Sequence, residues 1–119
     1  MKLQDELQAA LDEMARVYVE GDVVACAALF TANATLHSPY APPARGRAEI
    51  EARHRVWTEG ATAKHFEILD RGGSGDVAWA LARFSEGEFT GEGTTLAVFE
   101  RSVDAGWLIR ACSLNSLTE

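Results

Sequence analysis

Apolar positions in the first part of the chain recur with a helical period. They fall every three or four residues on one face, at Leu3, Leu7, Ala10, Leu11, Met14, Val17 and Tyr18. This spacing predicts an amphipathic helix that ends at Gly21. Asp22 can cap a second, mostly buried helix over residues 23 to 30.

The middle of the chain predicts one short strand followed by a third helix. The segment "ATLHSP", residues 34–39, is a strand stopped by its proline, and "YAPPARG", residues 40–46, is predicted as a loop. A third helix is expected from about Arg47 to Thr58. One face of this helix carries Ile50, His54 and Trp57.

The second half of the chain has strand patterns. Strands are predicted at 62–71, 76–88, 92–103 and 106–116, with "GGSGD" and "VDAG" as turn signals. The segment "VAWALARF" is apolar on both faces, so both sides of this sheet should be covered. The helices can cover one side, and a second copy of the chain is expected on the other. The element order predicts an α+β protein.

Composition narrows the possible partners and location. With 119 residues, 47% of them hydrophobic, the chain is expected to form one domain over residues 1–119. The formal net charge of −7, with scattered basic residues, argues against nucleic acid or an anionic membrane as partner. The longest apolar run, "VVACAALF", is too short to cross a bilayer. The N-terminus lacks a secretory signal pattern, so a cytoplasmic location is expected.

Neither cysteine nor histidine spacing indicates a metal site. Cys26 and Cys112 each lie in an apolar run without a CxxC pair, so both are expected to be buried free thiols. His37, His54 and His65 match no ligand spacing. Neither a metal nor a cofactor is expected.

The element order and several motifs resemble a known superfamily. The segments "GDVVACAALFTANATLHSP", "ARGRAEIEARH" and "FERSVDAGWLIRACSLNS" resemble NTF2-like proteins, most closely the SnoaL-like and ketosteroid-isomerase-like members, including DUF4440-type proteins. This resemblance implies a cone: three N-terminal helices packed on a strongly bent, mainly antiparallel sheet. It also implies an apolar pocket and a homodimer through the outer face of the sheet.

The resemblance does not carry over the catalytic residues of ketosteroid isomerase. The position of that enzyme's base is Ser38 here, its oxyanion tyrosine maps to Met14, and its protonated aspartate maps to Ala97. A serine hydroxyl is too weakly basic to take a proton from carbon. Steroid isomerisation by that mechanism is therefore not expected. A non-catalytic ligand-binding or oligomerisation module stays open as the alternative.

Two histidines are the catalytic candidates. His54 lies on the inward face of the third helix, where an imidazole could move a proton or form a structural hydrogen bond. The His65-Phe66 pair resembles that of scytalone dehydratase, which implies an inward His65. Strand alternation implies the reverse, because Phe66 shares its face with Lys64 and Ile68 and leaves His65 on the other.

The expected ligand is a small apolar organic molecule. Aromatic and small polar side chains around the expected cone are the candidate pocket residues: Tyr18, Ser38, Tyr40, Trp57, Phe66, Trp79, Ala97, Phe99 and Asn115. If the protein is an enzyme, cofactor-free isomerisation, cyclisation or dehydration is expected. An epoxide hydrolase is disfavoured because Asp70, Asp76 and Asp104 fall at predicted turns.

Overall fold

The computed structural model describes residues 2–61, 63–86, 92–104 and 106–116. These residues form helices and strands in the following order: α1 (Leu3–Glu20), α2 (Val23–Ala28), β1 (Phe30–Ser38), β2 (Ala41–Arg45), α3 (Gly46–Trp57), β3 (His65–Ser74), β4 (Val77–Ser85), β5 (Glu92–Ser102) and β6 (Gly106–Ser116). The predicted strand positions 62, 87 and 88 lie outside the described residues.

The strands form one mixed sheet with the order β2-β1-β6-β5-β4-β3. Neighbouring strands are antiparallel except β1 and β6, which are parallel. The predicted α+β class and the mainly antiparallel sheet are confirmed. In the described part of the chain no helix is both long and apolar enough to cross a bilayer.

The first helix ends as its sequence predicts. Gly21 adopts a φ of 72°, and its N–H donates to the carbonyl of Tyr18. The N–H of Asp22 donates to the Val17 carbonyl, which completes a left-handed helix end that glycine favours. The Asp22 carboxylate then accepts a hydrogen bond from the Ala25 N–H and caps α2.

Two segments differ from the sequence prediction. The second helix, predicted over residues 23 to 30, ends at Ala28, and Phe30 begins β1, four residues before the predicted strand. The predicted loop contains β2, which pairs antiparallel with β1 through Leu36 and Ala44. Pro42 and Pro43 lie on an edge strand, between the paired residues Ala41 and Ala44, where the register with β1 shifts, and edge strands and bulges are the positions at which a sheet tolerates proline.

The β3–β4 hairpin is longer than the turn signal implied. Gly72 and Gly73 continue β3 and pair with Trp79 and Ala78, so the turn is confined to Gly75 and Asp76. A Cβ at Gly72 would lie 2.7 Å from the Nε1 of Trp79. Glycine is needed there because the indole packs directly over its backbone.

The two faces of β4 differ in exposure, although both are apolar in the sequence. Ala78, Ala80 and Ala82 are fully buried on the inner face, towards the helices. On the outer face Val77 and Trp79 are 50% and 37% exposed, and the neighbouring Leu96 of β5 is 43% exposed. The described residues therefore cover the inner face of the sheet and leave apolar side chains partly exposed on the outer face.

Side-chain bonds hold α1 against the sheet. The Gln8 amide donates to the Phe66 carbonyl and accepts from the Ile68 N–H. On β6, near the middle of the sheet, the Trp107 Nε1 donates to the Glu6 carboxylate over 3.1 Å. These contacts fix the inner face of α1 opposite the inner face of the sheet, and the candidate site lies between them.

Candidate functional site

Two adjoining cavities lie between the helices and the inner face of the sheet. The inner cavity has a volume of about 40 Å³. Its lining is mostly apolar and comprises Leu11, Met14, Tyr18, Phe30, Leu36, His54, Trp57, Lys64, Phe66, Thr95, Ala97, Ile109, Cys112 and Leu114. The outer cavity has a volume of about 200 Å³ and is lined by Tyr18, Tyr40, Trp57, Lys64, Phe84, Glu86 and Leu114.

Four side chains line both cavities and form the neck between them. They are Tyr18, Trp57, Lys64 and Leu114. Three of these are apolar or aromatic, and the fourth is a lysine. A charged side chain in an apolar neck calls for a partner, since an isolated buried charge is very costly.

The partner of Lys64 is Glu86. The two side chains form an ion pair, with only 7% of the lysine side chain and 14% of the glutamate side chain exposed. Their meeting follows from the strand register. His65 pairs with Ser85, so one further step along the hairpin brings Lys64 opposite Glu86.

Three aromatic rings surround the Lys64 ammonium. Its Nζ lies 4.5 Å from the ring centroid of Tyr18 and 4.8 Å from that of Phe84. The centroid of Phe66 is 5.3 Å away. These cation–π contacts stabilise the positive charge. Burial has the larger effect and lowers the pKa of Lys64, while the Glu86 carboxylate raises it.

His54 is buried in the wall of the inner cavity. Its Nδ1 lies 2.8 Å from the Ile50 carbonyl, one turn back on α3. A carbonyl oxygen can only accept, so the neutral ring carries its proton on Nδ1 and leaves the Nε2 lone pair unprotonated. Burial lowers the pKa of His54 and so favours this neutral ring, while its bond to Ile50 acts in the opposite direction.

Aromatic side chains hold the imidazole edge-on. The ring centroids of Trp57 and Tyr18 lie 5.7 Å and 6.0 Å from that of His54, both near-perpendicular. The Tyr18 hydroxyl donates to the Trp57 carbonyl over 3.1 Å. Burial, together with the nearby Glu86 carboxylate, raises the pKa of Tyr18, so this phenol stays protonated.

The floor of the inner cavity carries a hydroxyl–thiol pair. Thr95 Oγ1 and Cys112 Sγ are 2.9 Å apart. Burial raises the pKa of Cys112, and it raises that of Cys26 to about 11. Both cysteines are free thiols, as predicted, and both are protonated at neutral pH.

The cavities bring together six of the side chains singled out from the sequence: Tyr18, Tyr40, His54, Trp57, Phe66 and Ala97. Met14 also lines the inner cavity, at the position matched to the isomerase tyrosine. Both Met14 and Ala97 are apolar, so neither can donate a side-chain hydrogen bond to a developing oxyanion.

Other predicted residues do not line either cavity. His65 is exposed on the outer face of β3, because strand alternation directs it away from the buried Phe66. Trp79 and Asn115 are likewise exposed, on β4 and β6. These corrections all follow from the period of two along a strand.

Two further pocket candidates are placed elsewhere. Ser38 ends β1, and its hydroxyl accepts a hydrogen bond from the Tyr40 N–H instead of reaching a cavity. Phe99 is fully buried in the core, among the residues that fill the inner face. His37 is exposed. Among the described residues, no three His, Cys, Asp or Glu side chains are grouped as metal ligands.

Sequence reasoning missed the Lys64–Glu86 pair. A signal for the lysine was present, since Lys64 shares the inward strand face with Phe66. The corresponding signal for Glu86 is its position two residues after the buried Phe84. The contact between the two side chains depends on the register of the β3–β4 hairpin, which the alternation along each strand does not determine.

Several solved structures share this fold at low sequence identity. A cystatin-like domain of unknown function from Nostoc punctiforme has a TM-score of 0.80 and 21% identity, covering 99% of this chain and 81% of that one. A ketosteroid isomerase-like protein from Erwinia carotovora atroseptica has a TM-score of 0.79 and 17% identity, over 98% and 97% of the two chains. A candidate dehydratase of the NTF2-like family from Streptomyces avermitilis has a TM-score of 0.76 and 18% identity, over 96% of each chain.

These similarities show an NTF2-like fold. At such low sequence identity the activities of these proteins cannot be transferred to this chain. No match was found among curated proteins. The family model of the SnoaL-like domain matches residues 11–105, which include α2, α3, β1 to β5 and the second half of α1. The chain therefore belongs to the SnoaL-like domain family, within the NTF2-like proteins.

Proposed function

We propose that this protein binds a small apolar organic molecule in its two cavities and that His54 moves a proton on the bound molecule without a cofactor. The observation that carries the proposal is the neutral imidazole of His54 in the wall of an apolar cavity, with its Nδ1 committed to Ile50. The fixed ring leaves Nε2 as the basic atom. An unprotonated imidazole nitrogen in a water-poor site can accept a proton from carbon.

The lining limits the size and polarity of the ligand. An apolar cavity of about 150 Å³ is enough to hold a benzene-sized molecule. The outer cavity of about 200 Å³ therefore suits one ring or a short chain. Lys64 is the strongest hydrogen-bond donor on its wall, so an oxygen on the ligand is expected to face Lys64.

This arrangement fits isomerisation, cyclisation or dehydration of a carbonyl compound. His54 would take the proton from the carbon next to the carbonyl, and the Lys64 ammonium would stabilise the charge that develops on oxygen. The fold shared with a candidate dehydratase agrees with such chemistry at the level of scaffold only.

The proposal is tested with a panel of small aromatic ketones. Binding is measured by thermal shift, and exchange of the hydrogens next to the carbonyl for deuterium is followed by NMR in D₂O. We expect exchange in the native protein and its loss in His54→Asn. His37→Asn, which changes an exposed histidine, should exchange like the native protein. Equal exchange in the two variants would exclude His54 as the base.

A non-catalytic ligand carrier is the second candidate. It is favoured by Met14 and Ala97, which put apolar side chains where the related isomerase has its oxyanion donors. In that case ligands bind and stabilise the protein, but no exchange above that of free imidazole is seen. The same two measurements therefore separate the two functions.

We further propose a homodimer through the outer face of the sheet. Val77, Trp79 and Leu96 are apolar and partly exposed on this face, and the helices pack on the opposite face. An exposed apolar patch on a sheet is typical of a protein interface. We also propose a cytoplasmic location, with which the two free thiols are compatible.

A further inference from the structure

We infer that Lys64 captures small, uncharged apolar aldehydes and ketones as a reversible imine, with Glu86 transferring the protons. This inference rests on the proposed ligand-binding cavities and names the class of substrate they would take. It adds a covalent step that the proposed function does not need. Three features of the site support it: the position of the Nζ atom, the rings around it and the carboxylate that faces it.

The position of Lys64 gives its amine access to both cavities. Its side chain lines the inner cavity and the outer cavity, although only 7% of it is exposed. A ligand that enters the outer cavity therefore meets the lysine before it reaches His54. The amine is at the neck, where a carbonyl carbon could approach it.

The surroundings of Nζ make the amine a better nucleophile. Rings of Tyr18, Phe66 and Phe84 lie within 5.3 Å of it and replace water on several sides. A desolvated lysine in an apolar pocket is the usual form of an imine-forming amine. Burial lowers the pKa of Lys64, in agreement with this geometry.

Glu86 is placed to exchange protons with the amine. Its carboxylate is in direct contact with Nζ, and it lines the same outer cavity. It can take a proton from the ammonium to release the neutral amine. The carboxylic acid that results can later return that proton to a leaving oxygen.

The step balances without a further reagent. The Nζ lone pair forms a bond to the carbonyl carbon, the carbonyl π bond breaks, and one proton moves from nitrogen to oxygen to give a carbinolamine. Glu86 then protonates the hydroxyl, which leaves as water while nitrogen forms a double bond to carbon. The ammonium, carboxylate and carbonyl thus become a protonated imine, a carboxylate and one water molecule.

The charge of the site selects for uncharged carbonyl compounds. Glu86 faces the outer cavity, so a ligand carboxylate there would meet a like charge. After the loss of water, the same carboxylate neutralises the positive imine nitrogen. The protonated imine also withdraws electrons from the neighbouring carbon, which would ease removal of a proton by His54.

The test uses benzaldehyde with cyanoborohydride, which reduces an imine to a stable amine. The chain contains two lysines, Lys2 and Lys64, and Lys2 is exposed. Labelling of the two is compared within one protein by peptide mass spectrometry. We expect Lys64 to be labelled several-fold faster than Lys2, because burial lowers the pKa of Lys64 and leaves more of it as the neutral amine.

Variants and a competitor identify the cause of the labelling. Glu86→Gln removes the group that returns the proton to the leaving oxygen, so it should lower the Lys64-to-Lys2 ratio, although it also removes a carboxylate that raises the pKa of Lys64. Lys2→Arg should leave labelling of Lys64 unchanged. Benzyl alcohol fits the same cavity but cannot condense with an amine, so it should protect Lys64 and leave Lys2 unaffected. A ratio of one or less in the native protein would overturn the inference.

The two proposals fail in different ways. If benzyl alcohol raises the melting temperature but Lys64 is labelled no faster than Lys2, the imine is excluded and the binding cavity stands. If benzyl alcohol and the other probes give no shift while Lys64 is labelled selectively, the lysine is a reactive amine and the ligand-binding proposal fails.

Discussion

Lys64 and Glu86 form an ion pair across the mouth of the β3–β4 hairpin, one residue before β3 begins and one residue after β4 ends. The pair lies at the junction of the two cavities, on an otherwise apolar wall. It places a positive and a negative group where a ligand would enter. A buried ion pair needs good geometry, because removing both charges from water costs free energy that only a close, well-oriented contact recovers.

Removing one partner of this pair should destabilise the protein strongly. Lys64→Met leaves the Glu86 carboxylate without its cation, and we expect a loss of about 3 kcal/mol in the free energy of unfolding. The double variant Lys64→Met with Glu86→Gln should lose less than the sum of the single changes. Urea denaturation of all four proteins measures the coupling.

An exposed ion pair of the same chain is the control for that cycle. Arg55 and Glu51 are 2.9 Å apart on α3, with 64% of the arginine side chain exposed. Arg55→Met should cost about 1 kcal/mol or less, because water screens the pair. If Lys64→Met lost no more free energy of unfolding than Arg55→Met, the Lys64–Glu86 pair would not behave as a buried one.

Acid should destabilise the native protein partly through His54. Because burial lowers its pKa in the folded state, the unfolded chain binds a proton at a higher pH than the folded protein does. Stability from this group is therefore present above about pH 6.5 and is lost as the pH falls towards the folded pKa. His54→Asn should flatten this part of the profile, whereas His37→Asn should not. The check is the unfolding free energy from pH 8 to about pH 5 in all three proteins.

Tyr18 is expected to contribute through its hydroxyl as well as its ring. Tyr18→Phe removes the hydrogen bond to the Trp57 carbonyl and should cost about 1 kcal/mol. Tyr40→Phe, at an exposed residue of the outer cavity, should change stability by less than about 0.5 kcal/mol. Denaturant titration of the two variants tests the difference, and equal values would argue against the bond.

Gly93 should not tolerate a side chain. A Cβ there would lie 2.3 Å from the Asn115 carbonyl oxygen and 2.5 Å from the Cζ of Phe84. Gly93→Ala should therefore cost about 1–3 kcal/mol and shift the Phe84 ring, which lines the outer cavity. Thr94→Ala, at the next residue, is the control. Unfolding and probe affinity are measured together, and native values for both would show that the strands separate easily.

A charge on the outer face of the sheet should dissociate the proposed dimer. Leu96→Glu puts a carboxylate in the apolar patch, and light scattering should then give the mass of one chain. Val103→Glu makes the same change at a fully exposed turn residue and should leave the dimer intact. A native protein that already has the mass of one chain would overturn the dimer proposal.

Local patterns in the sequence predicted most of the secondary structure. The apolar stripe of α1 and its end at Gly21 depend on neighbours within a few residues, so the sequence carries them directly. β2 was missed because Pro42 and Pro43 resemble a loop, and only pairing with β1 makes that segment a strand. The outward direction of His65 followed from alternation and not from the resemblance to a dehydratase.

The sequence by itself determined the fold class, the inward face of α3 with His54, and several aromatic residues of the cavities. Only the tertiary structure decided the charged part of the site. Lys64 and Glu86 are 22 residues apart, and each is an ordinary surface residue type when considered alone. Hairpin register brings them together, and burial by three surrounding rings gives the pair its chemical character. Both effects depend on contacts between distant segments, which no local pattern contains.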